Sequence, residues 1–296
     1  VPDVSVSGHG QVVKVRIGER ELRVGHFPIG IDYAGVVDAA ASEAVAARVH
    51  ALQELLPDRQ LILGIDRLDG TKGIPNRLQA FRSALERYPD LRNKIPLIRV
   101  VVPSREPIPS HHDLRLQIEQ LIGRINVEFT APGNWVPIHY LFRSLDPLEL
   151  SAFYRAARIA LVTPLKDGMN LVAKEYCAAS IEEDCVLIQS EFAGADAHCR
   201  HGALLVNPYD IEGTAAAIYR ACRMDRTERL RRMRREMQRR DVFWWVDSFM
   251  RAAALPEFAA RDDLSDLVTT PVTPESEPGP VAEEPHPPGR MASLPA

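Results

Sequence analysis

The sequence predicts an α/β fold, a mainly parallel sheet covered by helices. Three observations carry this. Short apolar runs alternate with helix-patterned segments through residues 60–255. A loop separates each run from the helical segment after it, the arrangement that parallel strands with helical crossovers need. The composition, 46% hydrophobic and 26% charged over 296 residues, is that of a globular chain large enough for a substantial core.

Taken in order, Val12–Ile17 and Leu22–Val24 alternate apolar and polar residues around Gly18-Glu19-Arg20, which predicts a hairpin. His26–Asp32 reads as a strand end and turn. The Ala-rich stretch 36–55 has helical spacing and is expected to form one helix. Leu61–Ile65 is a strand, followed by a Gly-containing loop and a helix near Pro75–Tyr88. Leu97–Val102 and Val136–Leu141 are strands around a helix at His112–Ile122. Pro147–Ala156 and Leu171–Ala179 are helices flanking the strand Ile159–Val162, and Val186–Ile188 and Leu204–Val206 are further strands. Phe243–Ala254 is a last helix, expected to turn back toward the first residues. Residues 256–296 differ: Pro271, Pro274, Pro278, Pro280 and Pro285 recur among Glu, Ser and Thr, too little apolar surface to offset ordering. A disordered tail is expected there, with a Pro-rich docking ligand as the alternative.

A net charge of −4 argues against nucleic-acid and anionic-membrane partners. The Arg229–Arg240 stretch, interspersed with Glu236 and bounded by Glu228 and Asp241, reads as a solvated helix face; a nucleic-acid footprint is the alternative. No apolar run reaches the ~18 residues of a membrane span. Cys177, Cys185, Cys199 and Cys222 form no CxxC pair and no zinc spacing, so reduced thiols in a cytoplasmic protein are expected. Val1-Pro2-Asp3 begins no signal peptide and lacks an initiator Met, which reads as a processed, truncated or excerpted chain.

In a parallel sheet, ligands bind beyond the carboxyl ends of the strands. The loop Asp66–Gly73 follows one strand there. Arg67 and Lys72 offer a guanidinium fork and a point charge, and Gly70 and Gly73 allow close backbone approach, as a diphosphate requires. A solvated basic loop is the alternative; the GxxxxGK[ST] spacing of a P-loop is missing. Thr163–Asn170 follows a second strand. Asn170 is a candidate helix N-cap whose helix start would aim N–H groups at an anion. Asp167 could accept from sugar hydroxyls. Glu175 could hold a ribose diol or be an ordinary surface carboxylate. Arg105, after a third strand, and the Arg143-Ser144-Leu145 backbone, suited to a base edge, have bland alternatives too. Glu191–Ala195 is a candidate helix start facing the same cleft.

The order of these loops is more informative than any one. RLDGTKGIP, PSRE, TPLKDGMNLVAKEY, SEFAGA and LLVNPYD follow one another as they do in the trehalose-6-phosphate synthase family, and the chain resembles that family from about residue 24 to 255. DGMNLVAKE is the most specific string. His26–Asp32 resembles the family's link between two domains. The resemblance implies the C-terminal, donor-binding half of a GT-B fold: residues 1–35 a remnant of the N-terminal domain with the link, and 36–255 a Rossmann-like nucleotide-sugar domain. It implies transfer of glucose from UDP-glucose to glucose 6-phosphate with retention, along a front-face path through an oxocarbenium-like state. Arg67 and Lys72 would hold the donor diphosphate. Asp167, with the backbone of Gly168, Met169, Asn170, Leu171 and Val172, would hold the transferred glucose. Glu175 would take the ribose, Ser144 and Leu145 the base, and Arg105 the acceptor phosphate. No metal or other cofactor is implied. The expected partners are a nucleotide sugar and a sugar phosphate, and a homo-oligomer stays open.

Two departures matter. Gly70 stands where the family commonly has Tyr, which is expected to loosen the loop carrying Lys72. The family's glycine-rich donor loop finds no match, so a fragment or a degenerate, non-catalytic donor-binding paralogue is an alternative, as is a related glucosylglycerol-phosphate or validoxylamine-phosphate synthase. A dinucleotide dehydrogenase is disfavoured, because no GxGxxG lies between strand and helix.

Overall fold

The computed structural model describes residues 4–7, 12–103, 109–130, 135–194, 199, 202–224 and 227–254. The expected tail, like Arg105, lies outside them.

The first strands form a separate antiparallel sheet. Strands β1 (Val4–Ser7), β2 (Val12–Ile17) and β3 (Arg20–Gly25) lie in that order, and Val13 faces Val24 across the predicted hairpin. Gly18 takes a positive φ of 60° at its turn. The Ala-rich stretch is two helices rather than one, α1 (Tyr33–Ala41) and α2 (Glu43–Leu55). Ser42 makes the break: its extended backbone interrupts the helix, and its hydroxyl accepts from Val45 N at 3.3 Å while donating to Ala39 O at 2.8 Å.

Six strands build the main sheet: β4 (Ile62–Arg67), β5 (Leu97–Val102), β6 (Ile138–Leu141), β7 (Ile159–Val162), β8 (Val186–Ser190) and β9 (Leu204–Val206). Their order is β6-β5-β4-β7-β8-β9, all parallel. Successive side chains go to opposite faces. Ile62, Leu97, Val101 and Ile159 therefore pack under α3 (Ile74–Arg87), α4 (Pro109–Phe129) and α7 (Ile211–Ala221). Leu63, Ile98, Val100 and Ala160 pack under α1, α5 (Pro147–Ala156), α6 (Leu171–Ala179) and α8 (Thr227–Arg239). The chain runs outward one way from β4 through β5 to β6, then restarts beside β4 with β7. That reversal places a crevice between the carboxyl ends of β4 and β7, where such sheets take ligands.

Helix α9 (Val242–Ala254) crosses back as expected. Trp245 Nε1 donates to Phe27 O at 2.9 Å, Val242 N to Ile31 O at 2.9 Å, and Phe27 meets Phe249 edge-on. Helix α8 buries Leu230, Met233 and Met237, and two of its outward arginines pair with carboxylates, Arg231 with Glu183 and Arg235 with Glu228. The solvated-face reading holds for most of it. Arg234 departs from it by donating to the carbonyls of Cys177, Ala178 and Ser180 at the end of α6.

Candidate functional site

Strand β4 runs two residues further than the sequence suggests, through Asp66 and Arg67. The extension decides where their side chains go. Asp66 lands on the face covered by α3, α4 and α7 and is buried, whereas Arg67 is exposed at the carboxyl edge and its guanidinium makes no hydrogen bond or ion pair with a described residue. Beyond it, Asp69 accepts from both Thr71 N and Thr71 Oγ1 at 2.8 Å and so starts a 3-10 turn, Gly70–Lys72. The backbone N–H of Thr71, chiefly, holds the Asp69 carboxyl below its ordinary pKa. Gly73 ends the turn in the left-handed region (φ 62°), with Thr163 O and Leu165 filling the space a side chain would need. The expected looseness at Gly70 is countered here: the loop is pinned on both sides of it, although a Cβ at Gly70 would meet nothing within 4 Å.

The loop after β7 is laced to this one. Leu165 N and Lys166 N both donate to Thr71 O, at 2.8 and 3.2 Å. Lys72 Nζ lies 2.6 Å from Asp167 Oδ2, which also accepts from Asn170 Nδ2 at 3.0 Å. Burial by itself would raise the Asp167 pKa; the Lys72 ammonium and the Asn170 amide outweigh it and hold the carboxylate below its usual value. Asn170 caps α6, as its residue type predicts, accepting from Ala173 N at 3.0 Å from a left-handed backbone (φ 40°). Gly168 and Met169 are exposed beside it. The loop after β8 joins them: Asp167 N donates to Phe192 O, Gly194 N to Asp167 O, and a Cβ on Gly194 would fall 1.9 Å from Gly168 O. Glu191–Gly194 is a turn, and the residues on which a helix was expected to follow lie outside the described ones.

Beneath this edge is a buried charge network that the sequence reading missed. Asp66 Oδ2 accepts from Arg77 at 2.5 Å and from Arg99 at 2.8 Å. Arg77 also donates to Thr163 Oγ1 at 3.0 Å and to Lys72 O at 3.2 Å, so one guanidinium grips both loops from below. Burial pushes Arg99 down to about 10, against the attraction of Asp66. A signal existed in each case. Arg99 interrupts the apolar run Leu97–Val102, and Arg77 occupies the apolar stripe of α3 formed by Ile74, Leu78 and Phe81.

Helix α6 places its own carboxylate and cation. Glu175, half-buried, accepts from Tyr154 Oη at 3.0 Å; burial and then the Glu175 charge push that phenol well above its ordinary pKa. Lys174 is buried and donates to Ile29 O at 2.5 Å, tying α6 to the segment that precedes α1. Desolvation lowers its pKa to about 8 from 10.5. Between those values the unfolded chain holds a proton that the folded one has lost. The contribution of Lys174 to stability should therefore rise with pH across 8 to 10.5, by roughly 3 kcal/mol at most. Urea midpoints of wild type and Lys174→Met should diverge in favour of wild type from pH 8 to 10; a constant difference would contradict this.

Ser144 and Leu145 follow β6, at the edge of the sheet two strands from β4. Arg143 forks onto Glu149 and donates to Ser144 O. The structure thus brings Lys72, Asp167 and Asn170 into one contact set with Arg67 and the start of α6 beside it. It leaves Ser144 and Leu145 at the periphery. Among the described residues no group of His, Cys, Asp or Glu is arranged to hold a metal, and no helix is long and apolar enough to cross a membrane.

Comparison with known proteins identifies the family. Residues 3–254 match the model of glycosyltransferase family 20. The chain is 42% identical over 241 residues to the bifunctional trehalose-6-phosphate synthase/phosphatase of Thermoproteus tenax, covering 80% of this chain and 32% of that protein. It is 42% identical over 254 residues to a trehalose-6-phosphate synthase of Mycobacterium marinum, covering 84% and 49%. The crystal structure of an alpha,alpha-trehalose-phosphate synthase (UDP-forming) from Burkholderia xenovorans with glucose-6-phosphate superposes with a TM-score of 0.80 at 36% identity, covering 85% of this chain and 56% of that one. A structure from E. coli bound with UDP-2-fluoro glucose gives 0.78 at 34% identity, covering 84% and 55%. The chain therefore spans between a third and somewhat over half of the length of these relatives.

Proposed function

The chain belongs to glycosyltransferase family 20, and from that premise we propose that the β4–β7 crevice binds UDP-glucose as donor for transfer to glucose 6-phosphate with retention. Residues 36–255 form the donor-binding domain in this reading, and residues 1–35 belong to its neighbour and the link between them. The observation that carries the proposal is the 2.6 Å contact of Lys72 with Asp167 across the two loops. A cation suited to a diphosphate and a carboxylate suited to sugar hydroxyls meet where the sugar–phosphate bond of a donor would lie.

On donor binding, Lys72 turns to the diphosphate beside Arg67, and Asp167 turns to the glucose hydroxyls. The N–H groups at the start of α6 that the Asn170 cap does not occupy face the same negative charge. Glu175, oriented by Tyr154, takes the ribose diol, and the backbone at Ser144 and Leu145 takes the base. Arg105 takes the phosphate of the acceptor. As the anomeric bond opens, charge grows on the departing diphosphate, and Arg67 and Lys72 stabilise it more than the ground state. That diphosphate then accepts the proton of the incoming hydroxyl on the face it leaves, which preserves anomeric configuration without a protein nucleophile.

Two measurements test this. Calorimetry should detect UDP and UDP-glucose binding, and a coupled assay should detect UDP release that requires both UDP-glucose and glucose 6-phosphate, with an α-linked product by NMR. Absence of any nucleotide binding would overturn the donor assignment. Binding without release would leave a donor-binding module in place of a transferase.

A further inference from the structure

We infer that a groove remote from the β4–β7 crevice is a second ligand site, built for a sugar phosphate. It is a cavity of about 510 Å³, within the range of ~300–1,000 Å³ usual for small-molecule sites. One wall is the arginine face of α8, with Arg231, Arg234 and Arg235; the others are Tyr33 at the start of α1 and Glu183 in the turn after α6. Residues expected only to be solvated thus line a concave surface.

Its chemistry is mixed in a particular way. Arg234 is already fixed, since Nη1 donates to three carbonyls at the end of α6 and its guanidinium lies 5.7 Å from the Tyr33 ring centroid. Its Nε and Nη2 have no partner among the described residues. Arg231 pairs with Glu183 at 2.5 Å, and Arg235 only loosely with Glu228 at 3.8 Å. Solvent-exposed pairs of this kind exchange partners at little cost. A phosphate ester would take the guanidinium forks. The glutamates so released can accept hydroxyl hydrogen bonds, and Tyr33 offers an aromatic face to the C–H side of a sugar ring. A sugar phosphate satisfies all three at once, with its phosphate on the arginines, its hydroxyls on the glutamates and its ring on Tyr33; inorganic phosphate uses the arginines alone. The groove and the Asn170 loop stand at opposite ends of α6, so occupancy of one leaves the other open.

The test is a calorimetric titration with glucose 6-phosphate and with inorganic phosphate, alongside the Arg234 side-chain Nε–Hε NMR resonance. Four proteins are compared: wild type, Arg231→Ala/Arg235→Ala, Lys72→Ala and Arg105→Ala. The substituted groove arginines are exposed, and Arg234 is left in place because it caps α6. Glucose 6-phosphate should bind more tightly than inorganic phosphate and shift the Arg234 resonance. The groove double variant should lose at least about tenfold in affinity and the resonance shift. Lys72→Ala and Arg105→Ala should keep the Arg234 resonance shift, which reports the groove alone, whatever Arg105→Ala does to glucose 6-phosphate binding at the acceptor site. An unmoved Arg234 resonance up to about 10 mM ligand, which puts the Kd above any useful occupancy, overturns the site. Equal binding by the groove variant does the same, and equal affinity for the two ligands overturns its assignment to a sugar phosphate.

Discussion

Asp66→Asn is expected to cost about 3–5 kcal/mol of stability, the usual penalty for removing one partner of a fully buried ion network. The substitution barely changes shape. It removes the only carboxylate among the described residues that is hydrogen-bonded to Arg77 and Arg99, leaving two buried guanidiniums beneath α3. Arg99→Met should behave oppositely, costing less than about 1 kcal/mol. Arg99 Nε and Nη1 have no hydrogen-bond partner among the described residues, and without Arg99 the remaining Asp66–Arg77 pair is electrically balanced. Urea unfolding of the two variants at neutral pH checks both. Asp66→Asn and Arg99→Met giving equal losses would show that the network is held by packing and not by its charge balance. Because Arg77 grips Lys72 O and Thr163 Oγ1, Asp66→Asn should also weaken nucleotide binding, through misplaced loops and not through a lost contact.

The fold was readable where period and punctuation agree. Strand β7 and helices α5 and α6 stand at the residues their patterns predict, because Pro147, Asn170 and short β-branched runs mark their ends. Where one residue had to choose between two roles, the reading failed. Ser42 splits an Ala-rich stretch whose spacing is helical throughout, since a cap depends on local backbone geometry that periodicity does not report. The carboxyl end of β4 was misplaced because Asp66 and Arg67 look like loop residues; only the partners Arg77 and Arg99, remote in sequence, make a buried Asp66 tolerable. The same limit explains the site. Arg67, Lys72, Asp167 and Asn170 are legible because their chemistry stands in loops after strands. Their joining by Thr71 O, the Lys72–Asp167 contact and the tight approach of Gly194 to Gly168 depends on strand order, which brings β4 beside β7 although they are far apart in sequence. Alternation of strands and helices fixes that the sheet is parallel, not which strands are neighbours.

Arg67→Ala and Lys72→Ala are expected to weaken UDP binding by roughly tenfold to a hundredfold each, since a charge-assisted hydrogen bond contributes on the order of 1.5–3 kcal/mol. The two losses should differ in kind. Arg67 is exposed and its guanidinium makes no hydrogen bond or ion pair with a described residue, so its removal should leave thermal stability unchanged and act on binding alone. Lys72 neutralises Asp167. Its removal strands a half-buried carboxylate beside the incoming diphosphate, so repulsion adds to the lost attraction and Lys72→Ala should be the more damaging change. Lys72→Ala/Asp167→Asn should then bind UDP more tightly than Lys72→Ala, because the repulsion is gone. Arg105→Ala should leave UDP affinity nearly unchanged, its proposed ligand being the acceptor phosphate. Calorimetric titration with UDP at constant salt separates these cases. Equal affinity in wild type and Arg67→Ala/Lys72→Ala would place the nucleotide elsewhere. Failure of Asp167→Asn to restore binding to Lys72→Ala would mean that the Lys72–Asp167 contact is structural and is not exchanged for the donor.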